Sequence, residues 1–569
     1  MTFYHKVTKL THKSSVTKHG WVASFVLLLV SHLFAKAQEC TPTFQWTPVK
    51  ATNVIEWEKF PAFSLPFTII YEGPRFGDTK SLPLSRGFSH LATFSGNESA
   101  TLPFEQRAVT WYHVATEASN QPWADRAVRS PWGNDQNLYN SIWENQLRGH
   151  ADAFQDSQGG KPLAYSIVGL DIERIFDTDR EIAALKTQPR IPEAYRSLSD
   201  AQFVERYKRD MQRQYAAPVD FLRKKSVETT KIGSYSDALI RGSFTNWLAM
   251  DLTTWKDWTT NSNLLLHVMK DSTSGQPGGP FYNQLNLLTP SCYYYYDYNT
   301  SPLGKDYLAY LLFVIEANRV WSDKPVIPYI WMRYHDAFNP TVPFVPSFVA
   351  EATAIFPFFS GAKGLWLWEA PVDTSRQDNY ASYEYFIGGL YRLSQFKEFF
   401  EGANQLVIPT PALESSKAKS AIWRGVVKGS NILIAAQNPY VSSDTQETTI
   451  NVSFQNWQKT ITLKGREVFL CSFDLNTITS VEEAHGLKDI KVTPNPAHEK
   501  IQFRIESVSS TAASIFLTDL VGKVHSKEEA VLKEGINERE INASNLPTGT
   551  YVLHVEVNGR RLSERVLIK

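Results

Sequence analysis

The sequence predicts an α/β protein: a (β/α)8 TIM barrel, then a small antiparallel β-domain and a C-terminal immunoglobulin-like β-sandwich. Eight short apolar segments between residues 67 and 370 alternate with stretches long enough for helices, which is typical of parallel strands joined by crossover helices. After residue 404 the pattern becomes alternating strands with turn residues between them. The 569 residues are enough for about two to four domains.

Eight is the number of strands that a closed (β/α)8 barrel requires. The predicted strands are 67–73, 87–94, 108–115, 164–174, 231–238, one within 284–296, 326–334 and 364–370. Apolar residues at helical spacing predict helices at 138–154, 200–225, 307–321 and 383–400. The chemistry of such a barrel lies where its strands end, so residues at those ends are the first candidates for function.

The fourth predicted strand, AYSIVGLDIER at 164–174, ends in two carboxylates, Asp171 and Glu173. Residues two apart on a strand point to the same side, so both acids share one pocket if the strand continues through Glu173. Two close like charges cannot both ionise cheaply, so one pKa should rise and provide a proton donor near neutral pH. The alternative is a surface pair in which Glu173 forms a salt bridge with Arg174.

The other strand ends carry carboxylates, tyrosines and tryptophans, which suit acid catalysis, hydrogen bonding and stacking on sugar rings. These candidates are Glu72, Tyr293, Tyr295, Arg333, Tyr334, Trp366, Trp368 and Glu369. The tyrosines could equally be packing residues, and the two tryptophans could fill the barrel interior. Glu369 is either a second catalytic carboxylate or the partner of Arg333.

The amino terminus predicts export. Residues 1–37 combine Lys6, Lys9, Lys13 and Lys18, then an apolar run, then the small-x-small site Ala35-Lys36-Ala37, the pattern of a secretory signal peptide. No later segment approaches the roughly 18 apolar residues of a spanning helix, so we expect no transmembrane segment in the mature chain. Cys40, Cys292 and Cys471 allow one disulfide, and the sequence leaves its pairing open.

The charge balance argues against nucleic acid as a partner. Lys plus Arg number 58, as do Asp plus Glu, so no strong electrostatic field favours nucleic acid or an anionic membrane. We find neither Cys/His spacing typical of a metal site nor a glycine-rich nucleotide motif. The sequence therefore predicts no cofactor and no metal.

The predicted barrel resembles the hyaluronidase family of glycoside hydrolases over about 200 residues. That family has an Asp-x-Glu strand end, a Pro-x-Cys-Tyr segment, a Pro-x-Tyr strand that closes in Tyr-Asp, and a Gly-x-x-Leu-Trp strand. The matching residues here are Asp171 and Glu173, Pro290 to Tyr293, Pro328-Tyr329 with Tyr334-His335-Asp336, and Gly361 to Trp366. The family's tyrosine five residues before the cysteine is Leu287 here, which departs from its pattern.

This resemblance implies a substrate-assisted mechanism, an exception to the two-carboxylate rule. Glu173 would be the general acid/base, Asp171 would orient the acetamido group of the substrate as nucleophile, and Tyr334 would steady it. The Asp-x-Glu pair also occurs in chitinase-like families, but Gly169 and Ser166 stand where those families carry further aspartates.

The last segment, 488–569, strongly resembles the type A sorting domain of the bacterial type IX secretion system. It carries Pro-Asn-Pro near its start, then Asp-x-x-Gly-Lys, Leu-x-x-Gly-x-Tyr and a terminal lysine, in family order. The resemblance implies a Bacteroidota-type envelope, an interaction with the secretion machinery, and removal of the domain on export. The alternative is an ordinary carbohydrate-adhesion sandwich.

The predicted domains are therefore a signal peptide (1–37), a barrel (38–403), an accessory β-sandwich (404–476), a linker (477–487) and the sorting domain (488–569). The predicted function is a secreted or cell-surface glycoside hydrolase that acts on a polysaccharide, with N-acetylhexosamine polymers as the leading class. One alternative is a non-catalytic glycan-binding protein that uses the same cleft. The other is a two-carboxylate hydrolase with Glu369 as nucleophile.

Overall fold

The computed structural model describes most of the chain after residue 38. The described residues are 39–40, 44–76, 82–93, 101–116, 121–125, 128–152, 163–174, 178–242, 253–335, 342–371, 373, 375–476, 487–507, 509–519, 522–557 and 560–569. The predicted signal peptide, most of the predicted linker and Asp336 lie outside them.

Seven short parallel strands form two sheets in the first 370 residues. Labelled after an N-terminal strand β1 (Glu39–Cys40), they are β2 (Thr68–Glu72), β3 (His90–Leu91), β4 (Ala108–Trp111), β5 (Ile167–Leu170), β6 (Lys231–Ser234), β7 (Tyr329–Trp331) and β8 (Gly364–Trp368). One sheet has the order β3-β2-β8-β7 and the other β4-β5-β6, with every pair parallel. The prediction of a parallel α/β arrangement is confirmed.

The sixth predicted strand forms no ladder. Its segment, 284–296, makes isolated parallel bridges: Tyr235 with Thr289, Leu288 with Val326, Ser291 with Tyr329, and Tyr294 with Tyr334. Pro290 interrupts this segment, and proline has no N–H to donate to a ladder. A further parallel bridge joins Leu91 of β3 to Arg107, which precedes β4. It links the edge strand of one sheet to the edge strand of the other.

The strand that carries the acid pair is shorter than predicted. β5 ends at Leu170, and Glu173 has a φ of +46°, in the left-handed region. The expectation that an extended strand continues through Glu173 is therefore wrong. The backbone turns immediately after Asp171, so the two side chains are not related by strand alternation.

Side chains from the parallel strands form a cluster of their own, separate from the larger core beneath the helices. Its buried members are Ile70, Ala108, Ile167, Leu287, Tyr293, Ile327, Tyr329, Trp331 and Trp366. Gly169 is part of this packing, because a Cβ there would lie 2.4 Å from the Tyr329 hydroxyl oxygen. The absence of a side chain on β5 lets rings from β7 and β8 reach across the sheet.

Ten α-helices are described. They are α1 (Gln136–Asp152), α2 (Asp179–Ala184), α3 (Glu193–Arg196), α4 (Asp200–Lys225), α5 (Trp255–Thr260), α6 (Gly279–Tyr282), α7 (Tyr307–Trp321), α8 (Ser347–Phe359), α9 (Ala381–Ser394) and α10 (Ala412–Lys417). α4 begins after a capping box in which Ser199 accepts from the Gln202 N–H. α8 was not predicted, because it is buried over most of its surface and shows no polar face.

The predicted accessory β-domain forms a five-stranded sheet and a hairpin. Its strands are β9 (Gln405–Val407), β10 (Ile422–Lys428), β11 (Asn431–Gln437), β12 (Glu447–Phe454), β13 (Trp457–Lys464) and β14 (Phe469–Asp474). The sheet has the order β1-β14-β11-β10-β9, and β12 pairs with β13. A disulfide joins Cys40 of β1 to Cys471 of β14, while Cys292 is a buried free thiol.

The C-terminal segment forms two antiparallel sheets around one core. Its strands are β15 (Leu487–Val492), β16 (Lys500–Ser507), β17 (Thr511–Asp519), β18 (Val524–Leu532), β19 (Gly535–Asn542), β20 (Gly549–Val557) and β21 (Arg560–Ile568). The sheet orders are β15-β16-β19 and β18-β17-β20-β21. The described helices include none long and apolar enough to span a bilayer.

Candidate active site

Asp171 lies directly after β5, beside the end of β4. Its N–H donates to the Trp111 carbonyl at 2.9 Å, and its carbonyl accepts from Val114 at 3.2 Å. Its carboxyl oxygen Oδ1 is buried and finds no hydrogen-bond partner among the described residues. Burial, reinforced by the charges of Glu173, Asp237 and Glu72, raises the pKa of Asp171 to about 8. Asp171 is thus protonated at neutral pH.

Glu173 is exposed and adds its charge to the same cluster of acids. Glu173 has a left-handed φ three residues after its strand ends. The same conformation occurs at His113 (+58°) and Ser236 (+64°), two residues after the ends of β4 and β6. Such conformations are costly in residues other than glycine and concentrate at functional sites. Three neighbouring strands therefore turn sharply at the edge where the acids lie.

Glu72, the last residue of β2, is buried and fully hydrogen-bonded. Its carboxylate accepts from the Thr110 hydroxyl at 2.6 Å, the Tyr112 hydroxyl at 2.5 Å and the Trp366 indole N–H at 2.6 Å. Burial raises the pKa of Glu72 to about 7, even though these donors act in the opposite direction. The structure therefore brings Glu72 close to Asp171, where it binds three side chains that lie in or directly after two other strands.

Asp237 is a fourth acid of the cluster, and the sequence analysis missed it. It is buried after β6 and accepts from the Ser234 hydroxyl at 2.7 Å. Burial raises the pKa of Asp237 to about 6, while the Arg241 charge and the Ser234 hydrogen bond lower it. Its position could have identified it, because it follows the end of β6 much as Asp171 follows β5.

Aromatic side chains line the same edge. Trp368 stacks on Tyr293 with ring centroids 5.6 Å apart, and its indole N–H donates to the Tyr112 hydroxyl at 2.9 Å. Tyr293 also packs against Tyr235, at 5.7 Å. These rings come from the ends of β4, β6, β8 and the 284–296 segment.

Tyr295 and Trp366 occupy different surroundings. Tyr295 is partly exposed and stacks on His335, with centroids 4.6 Å apart. Trp366 is fully buried and stacks on Tyr329 at 4.6 Å, in the inner cluster. Trp366 therefore forms the floor beneath the acids, which is the packing alternative raised from the sequence.

Glu369 and Arg333 form a buried ion pair. The Arg333 Nε lies 3.0 Å from Glu369 Oε2, and Glu369 also accepts from the Trp331 indole at 3.0 Å and the Tyr383 hydroxyl at 2.8 Å. Arg333 additionally pairs with Asp378 and lies over the Phe344 ring at 3.7 Å. Both side chains are buried and hydrogen-bonded to other protein groups.

Tyr334 belongs to the core beneath the helices. It is buried, and its hydroxyl accepts from the Tyr298 N–H at 2.9 Å. Burial raises the pKa of Tyr334 above its ordinary value, and none of the four acids contributes to that shift. The structure does not bring Tyr334 into contact with Asp171 or Glu173.

The acid cluster is not arranged as a metal site. Among the described residues, no group of three or more His, Cys, Asp or Glu side chains is placed to hold a metal ion. An acid whose pKa is raised to about 8, with an exposed acid two residues away, is suited to proton transfer.

Comparisons with known proteins identify the end of the chain. Residues 491–569 match the family described as the secretion system C-terminal sorting domain. The family match agrees with the resemblance seen in the sequence, so this segment is a sorting domain that directs the chain to export. No curated protein matches the chain.

Solved structures similar to the chain include three glycoside hydrolases. Bee venom hyaluronidase is 13% identical, with 48% of this chain and 81% of that chain covered and a TM-score of 0.30. The endo-beta-1,4-mannanase of Cellulomonas fimi (a double mutant) is 12% identical, with 81% of this chain and 77% of that chain covered and a TM-score of 0.27. The Anoxybacillus alpha-amylase is 9% identical, with 68% of this chain and 75% of that chain covered and a TM-score of 0.31.

Proposed function

We propose that this chain is an exported glycoside hydrolase that cleaves a polysaccharide containing N-acetylhexosamine, with Glu173 as general acid/base. The observation that carries the proposal is the geometry at Asp171: its Oδ1 is buried without a hydrogen-bond partner among the described residues, and the exposed Glu173 follows two residues later, after a sharp turn. A buried acid oxygen without a partner costs free energy, and the acetamido N–H of a bound sugar would supply the missing hydrogen bond.

The fold that supports this site is proposed to be a closed barrel. The bridge between Leu91 and Arg107 joins the sheets on one side, and the bridges made by 284–296 join them on the other. Closure would place the ends of all eight segments around one mouth, as in (β/α)8 enzymes. We keep the predicted domain limits of 38–403, 404–476 and 488–569, with an immunoglobulin-like sandwich at the end.

In the proposed first step, the proton held by the acid pair passes through Glu173 to the glycosidic oxygen as the C1–O bond breaks. The carbonyl oxygen of the substrate's acetamido group attacks C1 and forms a cyclic oxazolinium ion. Asp171 lies behind Glu173, and its carboxyl binds and orients the acetamido N–H. Its ionised form stabilises the positive charge that develops on the ring.

In the second step, water attacks C1 and gives its proton to the Glu173 carboxylate. The C1–oxygen bond to the acetamido group breaks, the acetamido group is restored, and the sugar keeps its anomeric configuration. This route needs no second carboxylate nucleophile. It agrees with the occupation of Glu369 by Arg333, Trp331 and Tyr383.

The test is the Glu173→Gln variant, assayed for new reducing ends on chitin oligosaccharides, hyaluronan and chondroitin. We expect kcat to fall by about 10²–10⁴-fold, the usual contribution of a general acid. The side chain is exposed, so Tm should be unchanged. An undiminished rate in the variant would end the assignment, and glycan binding without any turnover by the wild type would favour the non-catalytic alternative.

A further inference from the structure

Tyr112 is an exposed aromatic side chain that is held unusually firmly. The residue is 38% exposed, and it is the one aromatic among the large hydrophobic residues that are exposed in the described part of the chain. Its hydroxyl donates to Glu72 at 2.5 Å and accepts from the Trp368 indole N–H at 2.9 Å. An exposed side chain normally moves among rotamers, whereas two hydrogen bonds at the tip fix this ring in one orientation.

Tyr112 also lies next to the proposed catalytic residues. Trp111 and Leu170 are the last paired residues of β4 and β5. Tyr112 and Asp171 follow directly after this pair, so they lie side by side where the two strands end. The hydrogen bond from Asp171 N–H to the Trp111 carbonyl continues that pairing to the end of the strands. The ring therefore stands at the edge of the acid cluster.

The neighbouring residues explain why the chain exposes this ring. His113 follows with a left-handed φ of +58°, which turns the backbone away from the strand. Glu72, at the end of β2, accepts from the Tyr112 hydroxyl, and Trp368, at the end of β8, donates to it. Residues at the ends of three strands thus hold one partly exposed tyrosine in place.

We propose that the Tyr112 ring is the wall of a sugar subsite, on which a pyranose next to the cleaved linkage stacks through its C–H face. This inference rests on the proposed function, and it names a residue that sets substrate affinity. The sequence analysis did not single out Tyr112. A rigid aromatic face loses little conformational entropy on binding, which favours its use for a ligand that offers few apolar atoms.

The test measures binding and turnover separately. Binding of chitohexaose and of a hyaluronan hexasaccharide is measured by calorimetry on the full-length Glu173→Gln protein, with and without Tyr112→Ala. Steady-state kinetics compare the wild type with Tyr112→Ala, using the oligosaccharide that binds. We expect Tyr112→Ala to weaken binding and raise KM by about tenfold, with kcat changed by less than about threefold.

Two further variants separate stacking from structural support. Tyr112→Phe retains the ring and should bind within about threefold of the parent, although it loses both hydrogen bonds. Tyr112→Leu keeps apolar volume without a flat face and should bind about as weakly as Tyr112→Ala, and it replaces the alanine variant if that one fails to fold. Leu138→Ala is the matched control, because Leu138 is also 38% exposed but lies on α1.

The outcomes distinguish this inference from the proposed function. If the wild type cleaves and Tyr112→Ala leaves KM and binding within twofold, the subsite is overturned and the hydrolase stands. If the wild type binds without cleavage and Tyr112→Ala abolishes that binding, the hydrolase is overturned and the subsite stands. If neither oligosaccharide binds or is cleaved, both are overturned.

Discussion

Asp171 and Glu369 are acids at strand ends of the same barrel-like region, and their surroundings are opposite. Glu369 is paired with Arg333 and accepts from two further side chains, so its charge is balanced. Asp171 is half-buried, but its buried Oδ1 has no partner in the described part of the chain, and the acids Glu173, Asp237 and Glu72 lie near it. The difference teaches that shielding from solvent does not separate the two carboxylates, whereas compensation by protein partners does.

The largest effect that this comparison predicts is on the activity of Asp171→Asn. The amide keeps the size of the carboxyl but cannot share a proton with Glu173 or stabilise the oxazolinium charge. We expect kcat on the cleaved oligosaccharide to fall by about 10²–10³-fold, measured by reducing-end release. Since Asp171 and Glu173 act as one unit, adding Glu173→Gln should reduce kcat little further. A variant that retains most of its activity would contradict the role of Asp171.

The next largest effect is on the stability of Glu369→Gln. The substitution leaves Arg333 buried with its charge uncompensated by Glu369, which should lower the free energy of unfolding by about 3 kcal/mol, measured by urea denaturation. Activity per folded molecule should change by only a few-fold. Formation of a covalent glycosyl-enzyme on Glu369, detected by mass spectrometry, would show that Glu369 takes part in the reaction. That result would support the two-carboxylate alternative.

The pH dependence of activity should report the proton that Asp171 holds. Because the pKa of Asp171 is raised to about 8, the acid pair loses this proton as pH rises through that value. We expect kcat/KM to fall about tenfold per pH unit well above pH 8, measured from pH 5 to 10. An alkaline limb that begins below pH 6 would contradict the protonated state.

The smallest effect is on the pH dependence of stability. The folded-state pKa of Asp171 is raised, so the folded protein binds more protons than the unfolded chain between about pH 4 and 8, and stability falls as pH rises there. Asp171→Asn cannot ionise, so this variant does not lose stability by deprotonation at residue 171 as pH rises. Its Tm relative to the wild type should rise by about 2 °C or more from pH 4 to pH 8, measured by calorimetry. A constant difference across this range would mean that Asp171 is compensated after all.

The sequence predicted the elements well where polarity alternates. The helix 200–225 has the predicted bounds, because it shows a polar and an apolar face. The strands of the parallel sheets came out shorter than predicted. Their apolar residues extend into buried turns such as the one after Leu170, and hydrophobicity does not distinguish a buried turn from a buried strand.

The site was predictable in part. Asp171 and Glu72 could be placed at one edge because parallel strands end together, and the predicted rise of one pKa in the acid pair falls on Asp171. The occupation of Glu369 and Arg333 by each other and by Tyr383 depends on contacts between distant segments. Nothing in the local sequence separates these buried partners from residues that face a ligand.

The bond between Cys40 and Cys471 spans 431 residues and closes the accessory sheet onto the N-terminal strand. Both cysteines lie outside the sorting segment 491–569. A protease that removes this tag therefore leaves a covalent ring around the proposed hydrolase. A single nick anywhere within that ring would release no fragment until the disulfide is reduced, which would protect the proposed hydrolase from extracellular proteases.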